Sequence, residues 1–145
     1  VILTHHGFID KYIGDNIMAL FPRDPSDAVL AACALRAALN QFNHDLNQQI
    51  DAGIGIHSGS VMLGTVGDHD RLNGSVMGDV VNTASRIEGL TKYYQTPVLL
   101  TDALLTLLPK GHHFHLREID RVRVVGKTTP ITLWQLLDVL PKRDM

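Results

Sequence analysis

The run Phe8-Ile9-Asp10-Lys11-Tyr12-Ile13-Gly14-Asp15-Asn16-Ile17-Met18-Ala19-Leu20-Phe21 reads as two short strands, residues 8–13 and 17–21, joined by a turn at Gly14-Asp15-Asn16. Gly and Asn tolerate positive φ, so a tight hairpin can form there. The turn carries a carboxylate, Asp15, and the first strand carries a cation, Lys11, between apolar neighbours. A carboxylate at such a turn can hold a hard cation such as Mg²⁺. It can equally be a solvated turn residue beside an edge-strand lysine, and the hairpin by itself does not separate the two.

Working outward, the 145 residues suffice for one domain with one core, expected over 1–140, with 141–145 as a tail or linker. Apolar residues make up 45% and charged residues 19%, the balance of an ordinary globular domain. A net charge of −2 argues against a nucleic-acid partner, which needs a basic surface, but leaves room for a small nucleotide held by a few local charges. The single cysteine, Cys33, excludes an internal disulfide and fits a reducing compartment. No window approaches the ~18 apolar residues of a membrane span, and no signal-peptide pattern is present. The expected location is cytoplasmic, or the cytosolic part of a membrane-associated protein.

After the hairpin, Asp24 can cap a helix, Pro25 suits its first position and Asp27 favours the positive helix end. Ala28, Ala31, Leu35, Ala38, Leu39, Phe42 and Leu46 then recur at helical spacing, predicting a structural helix to about Gln48. Cys33 sits inside this pattern as a buried small residue. Residues 50–67 read as two strands with Gly53, Gly55, Gly59, Gly64 and Gly67 among them. Such density marks either close approach of a ligand or second subunit, or a bent and tightly packed sheet. Residues 75–78 suggest a short strand, and Asp79 an N-cap for a helix over 80–90, extending toward Tyr93. On that helix Val80, Ala84 and Ile87 can face a core, while Asn82 and Arg86, four apart, stack on another face. Taken alone, this amide–guanidinium pair is compatible with a plain surface. A strand at 98–100, a short helix at 101–108, a strand at 115–125 and a last strand at 131–137 complete the order. The histidines of His5-His6 and His112-His113-Phe114-His115 lack the helical spacing or cysteine partners of a familiar zinc site.

Three segments in this order resemble the catalytic domain of the class III nucleotidyl cyclases, the adenylate and guanylate cyclases. They are Lys11-Tyr12-Ile13-Gly14-Asp15-Asn16-Ile17-Met18-Ala19-Leu20-Phe21, Gly53-Ile54-Gly55-Ile56-His57-Ser58-Gly59, and Met77-Gly78-Asp79-Val80-Val81-Asn82-Thr83-Ala84-Ser85-Arg86-Ile87-Glu88. Val125-Gly126-Lys127 with Thr129-Pro130-Ile131 adds a weaker fourth. The resemblance implies an α+β fold. Its centre is a ferredoxin-like βαββαβ core, here lacking the first strand and its helices, followed by a C-terminal α/β extension. It also implies conversion of ATP to 3′,5′-cyclic AMP and pyrophosphate, with Mg²⁺ or Mn²⁺, two per site, at the interface of a homodimer.

By the same resemblance, Asp15 matches one of the family's two metal-binding aspartates, Arg86 the arginine that stabilises charge on the α-phosphate, and Asn82 the asparagine that orients the ribose. Lys11 and Ser75 match the two base-recognising positions. A lysine ammonium only donates, so it suits the acceptor N1 of adenine and not guanine, whose N1 carries hydrogen. Guanylate cyclases usually have Glu at the Lys11 position, while Ser75 discriminates weakly, so ATP is the expected substrate and GTP the alternative. Two departures stand out. The family's other metal-binding Asp lies in an opening strand well upstream, yet only 14 residues precede Asp15 and none matches, so the expectation is a fragment inactive alone. Val125 stands where the family often has a phosphate-contacting Lys, and Lys127 is the candidate substitute. A catalytically dead, partner-regulating domain is the reading these departures would favour. Relatives are often fused to sensor or membrane segments.

Overall fold

The computed structural model describes residues 1–59, 78–123 and 129–139. The chain forms two compact units. One comprises Val1–Ala52, Leu107–His115 and Leu137–Met145, the other Gly53–Thr106 and Leu116–Leu136. Among the described residues no helix is long and apolar enough to cross a membrane.

The first unit opens with a 3-10 turn, Leu3–His5, and then the hairpin β1 (Phe8–Ile13) and β2 (Asn16–Leu20). The connection is tighter than the sequence suggested. Ile13 pairs with Asn16, so the turn is Gly14-Asp15 alone. Gly14 takes φ 61° at the first turn position, the requirement of a type II′ connection, whose twist matches that of the strands. The ladder also shifts register between Ile9 and Lys11, leaving Asp10 as the extra residue of a bulge. Ile9 pairs with Ala19 and Lys11 with Met18, and these neighbours on β2 face opposite ways. The bulge therefore turns Lys11 onto the face opposite Ile9, which strict alternation would not do.

Helix α1 (Pro25–Leu46) follows as expected from its local signals. The Asp24 side chain accepts from the Ser26 N–H at 2.8 Å, Pro25 opens the helix, and Asn47 closes it in the left-handed conformation at φ 50°. Val29, Ala31 and Ala32 are buried. The Arg36 guanidinium, largely buried, reaches the Asp51 carboxylate at 2.7 Å and the Ala52 carbonyl at 2.8 Å. The Asn43 amide donates to the Ile50 carbonyl and accepts from the Ile50 N–H. Together these fold the chain after α1 back along the helix.

The second unit is a four-stranded sheet in the order β3 (Ile54–Ile56), β4 (Val98–Thr101), β6 (Ile131–Leu136), β5 (Leu116–Val122). Strand β3 runs parallel to β4, and the other pairings are antiparallel. The parallel pair is connected through α2 (Gly78–Tyr94), as a parallel connection requires. All four residues of β4 are fully buried, which explains a continuous apolar run in place of alternation. Ile87 of α2 packs with Leu99 and Leu133 of the sheet, and Leu90, Tyr94, Ile119, Val122 and Ile131 surround them.

The α+β class is as the sequence implied, with α3 (Asp102–Leu105), β5 and β6 forming the C-terminal extension. Several boundaries differ. Helix α2 begins at Gly78, so Asp79 lies in its first turn and is not the cap; its carboxylate still favours the positive helix end. Helix α3 stops at Leu105, well short of 108, because four residues make a single turn whose Thr101 cap makes no side-chain bond. Strand β5 starts at Leu116 and ends at Val122, and β6 passes at Leu136 into a 3-10 turn, Leu137–Val139. The second of the two strands expected within 50–67, beyond residue 59, and the tail at 141–145 lie outside the described residues, as does the short strand expected at 75–78 except for Gly78, which belongs to α2.

Candidate functional site

The expected site residues fall into two groups, one in each unit. On the hairpin, Asp15 occupies the second position of the two-residue turn, and Lys11 sits one pair beyond the bulge. Both side chains are exposed. A turn holds a carboxylate clear of the strand ladder, leaving its oxygens open to a cation or to water. Among the described residues no group of three or more His, Cys, Asp or Glu side chains is placed to hold a metal ion. One carboxylate at a turn does not make a divalent-metal site by itself, since such ions take six or more oxygen ligands.

On α2 the separation of faces is clear. Ile87 and Thr83 are buried, and the Thr83 hydroxyl donates to the Asp79 carbonyl at 3.0 Å. Asn82 and Arg86 are exposed and one turn apart. The two present an amide and a permanently charged guanidinium fork from one rigid element, a geometry suited to oxygens of a sugar and a phosphate. Ser75, Lys127 and Val125 lie outside the described residues.

The glycine-dense segment has a concrete neighbour. A Cβ placed on Gly53 would strike the Thr91 side chain, one on Gly59 would lie 2.8 Å from Val80 Cγ2, and one on Gly55 would meet the backbone of α2 at Ala84 and Glu88. What approaches these three glycines is α2, the helix that carries Asn82 and Arg86. Of the two sequence readings, approach of a ligand or second subunit and tight packing, these contacts are tight packing within the chain; that the neighbour is α2 was not legible, because it depends on the crossover between β3 and β4. Next to this contact, His57 Nδ1 lies 2.9 Å from the hydroxyl of Thr101, at the end of β4.

Other polar groups have local duties. His115 Nδ1 lies 2.9 Å from Asp138 Oδ1, and His115 N–H donates to Asp138 Oδ2. His112 accepts from the Phe114 N–H and stacks on the Phe114 ring, and Arg23 donates to His6 Nδ1 at 2.8 Å. An open, mostly apolar recess of about 500 Å³ in the first unit is lined by Ser26, Leu30, Cys33, residues of the 109–114 segment and Asp138. None of the expected site residues lines it. Burial, and secondly the Asp138 carboxylate, push the Cys33 thiol up, the opposite of what a nucleophile needs.

With this geometry in view, the family model of the adenylate and guanylate cyclase catalytic domain matches residues 11–137. An adenylate cyclase of Anabaena cylindrica is 46% identical over 140 residues, 90% of this chain and 28% of that protein. A terminal-differentiation-specific adenylate cyclase of Dictyostelium discoideum is 34% identical over 140 residues, covering 91% of this chain and 7% of that protein. The chain therefore spans less than a third of the length of these curated relatives. A solved adenylate/guanylate cyclase/hydrolase from Silicibacter pomeroyi superposes with a TM-score of 0.75 at 25% identity, covering 97% of this chain and 76% of that one. The guanylyl cyclase Cya2 superposes with a TM-score of 0.70 at 26% identity, over 99% of this chain and 76% of that one.

Proposed function

Since the chain belongs to the adenylate and guanylate cyclase catalytic domain family, we propose that it is an adenylate cyclase domain, forming 3′,5′-cyclic AMP and pyrophosphate from ATP between two copies of itself. The observation that carries this reading is the pair Asn82 and Arg86, displayed from the exposed face of a helix whose other face is locked into the sheet. In the reaction the ribose 3′-oxygen attacks the α-phosphorus in line. The O3′–P bond forms, the bond from that phosphorus to the bridging oxygen breaks, pyrophosphate leaves, and the 3′-hydroxyl proton is lost. Arg86 meets the charge that grows on the α-phosphate oxygens, where a preorganised cation is worth most. Asn82 holds the ribose so that the 3′-oxygen lies on the line of attack.

Lys11 donates to the adenine N1, with Ser75 as the second base contact, and Lys127 takes the terminal phosphates in place of the valine at 125. The family uses divalent metal ions and works as dimers. Asp15 contributes one carboxylate toward Mg²⁺ or Mn²⁺, two of which serve each complete site. Among the described residues no group of three or more His, Cys, Asp or Glu side chains stands ready to hold a metal ion, and this stretch alone is expected to be inactive. The test is production of cyclic nucleotide by the full-length protein with Mn²⁺ and either ATP or GTP, beside Arg86→Ala. Cyclic AMP should predominate, and Arg86→Ala should lower turnover by about 10²–10³, the scale for one lost transition-state donor. No product from either triphosphate would favour a catalytically dead regulatory domain, and mainly cyclic GMP would favour a guanylate cyclase.

A further inference from the structure

Gly55 lies in the middle of β3, beneath α2. A Cβ built on it falls 2.9 Å from the Ala84 carbonyl oxygen and from Glu88 Cα, and nearer still to the Glu88 amide nitrogen. These are helix backbone atoms, which cannot rotate aside as a side chain can. Gly59 meets the same helix one turn earlier through a side chain, with Val80 Cγ2 at 2.8 Å and Val80 Cβ at an ordinary 3.6 Å. Gly89, on α2 itself, has nothing within 4 Å of its position for a Cβ.

The geometry of α2 makes this contact consequential for Asn82 and Arg86. Each lies two residues from Ala84, about 200° around the helix. They project from the side of α2 roughly opposite the one pressed onto Gly55. Anything that lifts the helix off β3 carries both outward along the direction in which they point. Making room for one methyl group requires a shift of about 1 Å, and misplacement on that scale can cost about 10²-fold in rate.

We propose that Gly55 is a positioning residue for the cyclisation reaction: its missing side chain fixes the depth at which α2 seats, and so the place at which Asn82 and Arg86 meet the triphosphate. This rests on the assignment of Asn82 and Arg86 made above. Gly59 serves the same seating at the first turn, where the obstacle is a pair of methyl groups and not the backbone.

The test uses the full-length protein, with turnover, KM for ATP, far-UV circular dichroism and melting measured for each variant. Gly55→Ala should remain folded and lose about 10²-fold in kcat, with KM changed far less, because the displaced groups act in the transition state. Gly89→Ala should leave kcat intact. Gly59→Ala should lower kcat, and Val80→Ala added to it should restore the rate by vacating the space. A folded Gly55→Ala enzyme with wild-type kcat, or no recovery in the Gly59→Ala/Val80→Ala double variant, would overturn the proposal. Arg86→Ala run beside them separates the two levels. If it lowers kcat while Gly55→Ala does not, the assignment of Arg86 stands and the positioning role falls. If Arg86→Ala itself is harmless, both fall.

Discussion

Lys11 has three N–H donors and no acceptor, and in the proposed reaction its target is a purine edge. Adenine offers a lone pair at N1, whereas guanine offers a hydrogen there. A site built on a hydrogen bond rejects the substrate that leaves its donor unmatched. Lys11→Glu reverses the polarity, so the ratio of kcat/KM for ATP over GTP should fall by at least about tenfold. An unchanged ratio would remove Lys11 from base selection. The residue types at this site were readable from the sequence, since lysine, aspartate, asparagine and arginine each carry a distinct chemistry. The facing of Lys11 was not. It depends on Asp10 being left over in the ladder, and a bulge is fixed by pairing between strands, which the residues of one strand do not encode.

At the scale of elements, α2 is tied to β5 by one short bond. The Tyr94 hydroxyl, in the last turn of the helix, donates to Asp120 Oδ2 at 2.6 Å. That bond, chiefly, and then burial push the Tyr94 phenol up from 10.0 to about 12. It also holds the Asp120 carboxyl below its usual range, helped by the Arg121 N–H. The sign for Tyr94 follows from a raised value. The stabilisation is complete below pH ~10 and is lost as pH rises through about 12. In a spectrophotometric titration, the phenol signal removed by Tyr94→Phe should be centred near 12 and should return toward 10 in Asp120→Ala. A signal near 10 in the unaltered protein would show that the bond does not persist in solution. Elements with local signals were the legible ones: α1 has its Asp24 cap, Pro25 and small-residue face, and the hairpin its Gly14 turn. Helix α3 was overextended, because Leu107 and Leu108 continue an apolar run without continuing the helix. The seating of α2 on Gly55 belongs to tertiary packing and left only the glycine density as its trace.

At the scale of the whole molecule, the hairpin residues and the α2 residues belong to different compact units of one chain. In the proposed dimer one copy would supply Asp15 to a site and the other Lys11, Asn82 and Arg86, so the hairpin's Lys11 and Asp15 would serve opposite sites and two-fold symmetry would make two of them. A chain altered at Asp15 and a chain altered at Arg86 are each inactive in both of their own sites. When the two are mixed, half of the dimers are mixed pairs, and each mixed pair contains one site with both residues intact. Mixing equal amounts of Asp15→Ala and Arg86→Ala full-length protein should therefore restore cyclic AMP formation to about a quarter of the unaltered rate. A mixture no more active than its two components, under conditions where the chains exchange partners, would contradict a site shared between two copies.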